Sequence, residues 1–205
     1  MGWYEDRVFP HLLDWATRPL TPQRQELIGS AQGRVLELGV GTGANLAWYG
    51  EDATEIHGIE PGEPLLDIAR QQASQCAHPD RFHFHQCGAE ALPFPDKHFD
   101  TVIACLVMCT IPDAESAARE IHRVLKPDGK LLVLEHVRHA RSVPASLQSL
   151  IQPVWKPLAC GCHLNRDTGR TLAHAGLDVS GLSYWQHPAL PKFAGFMLSG
   201  SATRG

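Results

Sequence analysis

The chain has 205 residues, 43% apolar and 20% charged, with 18 basic and 22 acidic side chains and a formal charge of −4. This is the composition of one folded globular domain, not of a disordered or collagen-like chain, and its mild acidity argues against a protein built to hold phosphate backbones. No apolar run approaches the ~20 residues that span a bilayer, and the start Met1-Gly2-Trp3-Tyr4-Glu5-Asp6-Arg7 lacks a signal-peptide pattern, so a soluble, cytoplasmic enzyme or binding protein is expected.

Residues 5–17 carry Val8, Phe9, Leu12, Leu13 and Trp15 at helical spacing, and 21–30 reads as a second helix with Thr21 as its cap. Arg34-Val35-Leu36-Glu37-Leu38 is a short apolar strand that runs into glycines, and a helix is predicted over 43–50. A strand at 55–60, a helix at 63–75 and an alternating strand at 81–85 follow. Phe99 to Val107 reads as a strand buried on both faces. An amphipathic helix covers 113–125, and Lys126-Pro127-Asp128-Gly129 turns into a fifth strand at 130–135. Helices are predicted at 143–158, interrupted by Pro153 and Pro157, and at 166–175; a strand pair at 178–186 and 191–200 closes the chain. Strand alternating with helix predicts a mostly parallel sheet covered on both faces. The chain reads as one domain: a helical cover at 1–30, a cofactor half at 34–137 and a substrate half at 138–205.

Six cysteines without a secretory signal are expected to be reduced thiols. Cys160-Gly161-Cys162-His163 offers three potential metal ligands, but no second Cys/His pair stands at zinc-site spacing, so no metal is expected.

Glu37-Leu38-Gly39-Val40-Gly41-Thr42-Gly43 lies between a strand and a predicted helix, where glycines permit a sharp turn and close approach of a ligand. Glu60 closes the next strand, placed to accept both hydroxyl hydrogens of a ribose. Together they point to an adenosine-type cofactor. The third glycine comes one residue early for the dinucleotide fingerprint, and Glu37 would repel a pyrophosphate. S-adenosylmethionine brings an ammonium and a sulfonium instead, which a carboxylate suits.

At these residues the chain resembles the class I S-adenosylmethionine-dependent methyltransferases. The glycine loop resembles their first motif, Ala89-Glu90-Ala91-Leu92-Pro93-Phe94-Pro95-Asp96 with Phe99-Asp100 their adenine-side loop and fourth strand, and Leu125-Lys126-Pro127-Asp128-Gly129-Lys130 their turn into strand five. Gly41-Thr42-Gly43-Ala44-Asn45, Cys105-Leu106-Val107-Met108-Cys109, Glu135-His136-Val137 and Gly161-Cys162-His163-Leu164-Asn165-Arg166-Asp167 are similar to the small alkyl-thiol methyltransferases. The resemblance implies a Rossmann-like α/β fold, a seven-stranded mostly parallel sheet with an antiparallel final strand and helices on both faces. It implies S-adenosylmethionine as cofactor and S-adenosylhomocysteine as product. Gly39, Gly41 and Gly43 would meet the methionine and ribose end, Glu37 the ammonium, Glu60 and the following Pro61 the ribose side, and Ala89 and Glu90 the adenine. Cys105 and Leu106 would offer backbone carbonyls to the ammonium. Gly88 stands where many members place an aspartate, which leaves adenine to backbone groups near Ala89 or to Glu90. Membrane-bound relatives carry an apolar N-terminal anchor that the start Trp3-Tyr4-Glu5 lacks, which implies a soluble variant.

Methyl transfer from a sulfonium is an in-line displacement, so the protein must align the reacting atoms and exclude water. A thiol acceptor reacts as its thiolate, and with a pKa of about 8.5 a few per cent is already ionised near neutrality. His136, at the end of strand five, is the first candidate base and His163 the second; a hydrogen-bonded structural histidine is the competing reading for each. Tyr4, Phe9, Trp15, Met108 and Trp155 are candidates for an apolar acceptor pocket. No cluster of Lys or Arg stands ready for a polyanionic substrate. N-, O- or C-methylation of a lipid head group, a quinone or another metabolite is the alternative on the same fold, and a non-catalytic cofactor-binding module is a remote one.

Overall fold

The computed structural model describes residues 16–205. The predicted helix over 5–17, and Tyr4, Phe9 and Trp15 with it, lies almost entirely outside the described residues. Five helices follow, α1 (Thr21–Gly29), α2 (Glu63–Ala73), α3 (Ala114–Val124), α4 (Ser142–Leu158) and α5 (Thr168–His174). Eight strands make one sheet: β1 (Gly33–Leu38), β2 (Ala53–Ile59), β3 (Phe82–His85), β4 (Phe99–Cys105), β5 (Leu125–His136), β6 (Leu177–Asp178), β7 (Leu182–Gln186) and β8 (Phe196–Arg204).

The strand order is β3-β2-β1-β4-β5-β8-β6, with β7 also paired to β8. The first five strands run parallel, and β8 runs antiparallel to β5. The order moves outward from β1 through β2 to β3, then restarts on the other side of β1 with β4. The crevice at that reversal, outside the strand carboxyl ends, is where open sheets of this kind take ligands.

Alternation along the strands sorts the core into two layers. Val35, Ile56 and Ile103 pack with Ile28 of α1 and Leu66 and Ala69 of α2. Leu36, Leu38, Val102, Leu131 and Val133 pack on the opposite face with Ala117, Ile121 and Val124 of α3 and Leu172 of α5. Both faces are covered, which is why β1 and β4 read as continuous apolar runs. Two helix starts are fixed by aspartates: Asp113 accepts from Ser116 N–H at 3.0 Å and Asp167 from Arg170 N–H at 3.2 Å.

Five expectations need correction. The sheet has eight strands, because the closing segment is divided into β6, β7 and β8. The helix predicted over 43–50 is a single 3-10 turn at Leu46–Trp48. The left-handed Gly43 precedes it, and the side chain of Asn45 is drawn back to Glu37 at 2.6 Å, which leaves too few residues for a helix before Gly50. Thr21 makes no side-chain cap; it lies inside α1. The turn at 126–129 is a bulge within β5, where the register with β4 jumps from the Phe99–Leu125 pair to Thr101–Lys130. Pro153 and Pro157 do not break α4; both lie on its exposed side.

Candidate active site

Four strand ends meet on the carboxyl edge: β1 leads into Gly39, β2 into Glu60, β4 into Leu106, and β5 ends on His136. The glycine loop is left-handed at Gly39 (φ +60°), Gly41 (φ +55°) and Gly43 (φ +85°). The three glycines do different work. A Cβ on Gly39 would collide with Val107 Cγ2, and one on Gly43 would lie 2.8 Å from Leu46 Cδ1 and 3.2 Å from Ala69 Cα, so these two are dictated by packing. In front of Gly41 the nearest atom is 3.9 Å away. Gly41 is therefore the position of the loop with room for a ligand against bare backbone.

Glu37 is buried at the end of β1. Its Oε1 accepts from Asn45 Nδ2 at 2.6 Å and its Oε2 from Tyr49 Oη at 2.7 Å. The buried Arg24 donates in turn to Asn45 Oδ1 at 2.8 and 3.2 Å. Burial pushes the Glu37 carboxyl above its ordinary value, against the lowering pull of Tyr49, Asn45 and Arg24. Glu37 thus ties the glycine loop to the 3-10 turn behind it, and Asn45 and Tyr49 were not singled out from sequence.

Glu60 is 8% exposed, and its Oε1 accepts from Gly62 N–H at 3.0 Å. Burial raises its pKa, opposed by the backbone N–H groups of Gly62 and Gly41. The carboxylate therefore bridges the tip of β2 and the glycine loop. Pro61 is exposed beside it. Ala89 is buried in the core layer under α3, and Glu90 is half-buried above it, with Oε1 3.5 Å from Asp113 N. A cavity of about 670 Å³, lined by residues that include Thr42, Trp48, Gln72, His78 and Arg81, opens behind the loop; its lining contains neither Glu60 nor His136.

Cys105 and Leu106 end β4. Burial pushes the Cys105 thiol up to about 12, so that side chain is inert and its backbone is what it offers. Leu106 is left-handed (φ +57°), a strained conformation for a branched side chain and one that clusters at functional sites. Its N–H is held by the Leu134 carbonyl at 2.8 Å. The next two N–H groups, of Val107 and Met108, both donate to Glu135 Oε1, at 2.7 and 2.8 Å. Glu135 is fully buried, and burial pushes its pKa up to about 7 despite those bonds. Met108 is fully buried too, as core.

The structure brings His136 to residues the sequence left apart. Its Nε2 lies 3.0 Å from Cys162 Sγ, and the Trp155 indole N–H donates to the same sulfur at 3.1 Å. Cys109, from the turn after β4, completes the group: the His136 nitrogen and both sulfurs lie within 4.8 Å of one another. The Cys109 thiol donating to Cys162 lowers the Cys162 pKa, against burial and with help from His136 and Trp155. The same hydrogen bond and burial push Cys109 up. Burial opposes charge on His136, yet its bond to Cys162 carries the net shift upward. His163 is not in this group; its Nδ1 and backbone N–H both address the Cys109 carbonyl, at 3.1 and 2.8 Å.

Carboxyl-edge geometry, a left-handed glycine loop with one open position and a buried carboxylate at the next strand end make this crevice the candidate ligand site of a doubly wound sheet. A family model described as a methyltransferase domain matches residues 36–133. The chain is 30% identical over 174 residues to the thiol S-methyltransferase TMT1B of Rattus norvegicus, covering 83% of this chain and 70% of that protein. It is 29% identical over 152 residues to a phosphatidylethanolamine N-methyltransferase of Cereibacter sphaeroides, covering 74% and 73%. The crystal structure of an S-adenosylmethionine-dependent methyltransferase from Mesorhizobium loti superposes with a TM-score of 0.67 at 19% identity, over 91% of this chain and 98% of that one, a likeness of fold. The chain belongs to the family of S-adenosylmethionine-dependent methyltransferases, and S-adenosylmethionine is its cofactor. No helix among the described residues is long and apolar enough to cross a membrane.

Proposed function

We propose that this methyltransferase acts on a small, neutral thiol. The observation that carries the reading is the lining of the acceptor side. At the ends of β4 and β5 it gathers His136, Cys109, Cys162 and Trp155, soft and apolar groups that suit a neutral sulfur acceptor. The nearby Arg166 guanidinium is spent on the carbonyls of Met108 and Ile111. The 30% identity to a thiol S-methyltransferase supports the same acceptor class. Six cysteines, none of them in a disulfide, fit a reducing, cytoplasmic setting.

In this reading Gly41 lets the donor approach the backbone, Glu60 takes the ribose hydroxyls with Pro61 beside it, and Ala89 and Glu90 flank the adenine. The Leu106 carbonyl, turned by the left-handed residue, faces the ammonium together with Cys105, and Glu37 supplies the negative field behind Gly39 and Gly43. S-adenosylmethionine supplies the methyl group as a sulfonium. The acceptor sulfur forms the new bond to carbon, and the broken bond leaves its electron pair on the donor sulfur. His136 is the residue at which the acceptor thiol is activated, and His163 holds the Cys109 turn in place.

The test measures S-adenosylhomocysteine release with alkyl and aryl thiols of graded pKa against matched amines and phenols. Turnover of thiols with a rate that rises with thiolate fraction is expected. Turnover of amines or phenols without thiols overturns the acceptor assignment and leaves the methyltransferase assignment standing.

A further inference from the structure

The group formed by Cys109, His136 and Cys162 has a donor set that methyl transfer alone does not require. Its members come from the turn after β4, the end of β5 and the loop after α4. A tetrahedral ion with metal–sulfur bonds of ~2.3 Å and a metal–nitrogen bond of ~2.0 Å sets its sulfur and nitrogen ligands roughly 3.5 Å apart and its sulfurs roughly 3.8 Å apart. Here one nitrogen–sulfur distance is 3.0 Å and all three atoms lie within 4.8 Å, so shifts of about an ångström bring them to ligand spacing.

The surroundings hold these atoms in place. Cys160 (φ +46°) and Gly161 (φ +90°) are both left-handed, which turns Cys162 inward. Gln152 fixes that loop from α4, donating to the Cys162 carbonyl at 3.0 Å and accepting from Leu164 N–H at 2.7 Å. The Trp155 N–H on Cys162 Sγ is the kind of outer bond that orients a metal thiolate. Two further buried polar atoms, Glu135 Oε2 and His136 Nδ1, have no partner among the described residues. Both cysteines are buried while His136 keeps partial exposure, which leaves an approach from the imidazole side.

Two sulfurs and an imidazole, with no carboxylate among them, select a borderline or soft cation and reject Mg²⁺ and Ca²⁺. We propose that Cys109, His136 and Cys162 bind a thiophilic cation, Zn²⁺ by preference, and leave one coordination position open for the acceptor thiol. The open position rests on the thiol reading above; the cation site does not. Three protein ligands with a fourth place free is the arrangement of reactive rather than closed zinc sites. On entering it the acceptor S–H gives its proton to solvent, and the sulfur is held as a thiolate. After transfer the neutral thioether is the poorer ligand and leaves.

The experiment uses the purified full chain, stripped with chelator under reducing conditions and titrated with Zn²⁺ and with Co²⁺. One equivalent should bind, and the cobalt form should show thiolate-to-metal charge transfer with the visible bands of tetrahedral Co²⁺. Cys109→Ser and Cys162→Ser should each weaken binding by more than the roughly 10- to 100-fold typical of losing an outer-shell partner, while Cys76→Ser should bind as the parent does. Trp155→Phe keeps an aromatic ring in place and removes the N–H; it should weaken binding about tenfold, which keeps the test decisive if a serine variant does not fold. No stoichiometric cation, or one held equally by Cys162→Ser, overturns the site. An alkyl thiol should shift the cobalt charge-transfer band; a spectrum indifferent to thiol overturns the open position. Thiol methylation by a chain that binds no cation overturns this inference and leaves the acceptor assignment, whereas a bound cation with amine-only turnover does the reverse.

Discussion

Replacing Glu60 by Gln separates what this carboxylate does for the fold from what it does for the ligand. The amide oxygen still accepts the Gly62 N–H that Glu60 Oε1 receives at 3.0 Å, so the turn after β2 is retained. The other end becomes a donor, and the charge is lost. A hydrogen bond to a charged acceptor is worth about 1.5–3 kcal/mol, so affinity for S-adenosylmethionine should fall by roughly ten- to somewhat over a hundredfold. The ligand-free protein should not be weakened. Burial raises the pKa of Glu60, so the ionised carboxylate is disfavoured in the folded state. For an acid with a raised folded pKa, the stabilisation is complete below the unfolded value, about 4.3, and is lost as pH rises through the folded value. The neutral amide suffers no such loss. The variant should therefore equal or exceed the parent in unfolding midpoint at pH 7, with the difference growing as pH rises from 4 to 7. Calorimetry of ligand binding and urea unfolding of the free protein read the two quantities separately. Unchanged affinity would remove Glu60 from the ribose site. A parallel loss of affinity and stability would make it a structural carboxylate.

The glycine loop should divide in the same manner. Gly39→Ala should destabilise by about 2 kcal/mol or more, from left-handed strain plus collision with Val107, and Val107→Ala should restore part of that in urea unfolding. Gly41→Ala, with open space before it, should cost only about 1–2 kcal/mol of strain and show its main effect as weakened cofactor binding. Tyr49→Phe leaves Glu37 Oε2 without its donor in a buried place and should lower unfolding free energy by about 1–3 kcal/mol. Burial lowers the pKa of His57, against the Glu55 carboxylate at 2.9 Å, with His85 stacked on it and hydrogen-bonded at 2.9 Å, His83 tilted beside it and Arg34 beyond Glu55. A base with a depressed folded pKa keeps its stability above the unfolded value of about 6.5 and loses it as pH falls toward the folded one. The unfolding free energy of the parent relative to His57→Gln should therefore decline between pH 7 and pH 5; a flat difference refutes the assignment.

The cofactor half was legible because its signals are local. Buried parallel strands show as apolar runs, a strand that ends in glycines shows a phosphate- or ribose-type turn, and Glu60 stands one strand further on. The loop's helix was misjudged for a reason equally local in hindsight: Asn45 was read as a helix residue, whereas it reaches back to Glu37. The closing strands were placed only approximately. Ser199-Gly200-Ser201 looks like the end of a strand, yet β8 continues to Arg204 because β5 pairs with it as far as Thr203 and β6 pairs with Thr203 and Arg204. The acceptor side was not legible in the same way. His136 was found from its place at a strand end, but Cys109 and Cys162 lie 27 and 26 residues away from it on separate elements, and no spacing rule spans such gaps. Read within residues 160–163 alone, the ligands looked like an incomplete set; only the sheet shows which of them meet.

The outer partner of β5 comes after every other strand in the order of the described residues. β8 supplies the outer partner for the whole stretch from Lys130 to His136, ending with Met197 opposite His136, and its own final residue is Arg204. During synthesis β1 through β4 emerge early and can pair among themselves, but the outer edge of β5 stays bare until β8, some sixty residues further on, has been made. An apolar, unpaired edge held open for that long is a template for wrong pairing. The growing chain therefore completes the β1–β4 part of its sheet well before the far edge, and a nascent chain cut short ahead of β8 is left with β5 as a sticky, unpaired edge.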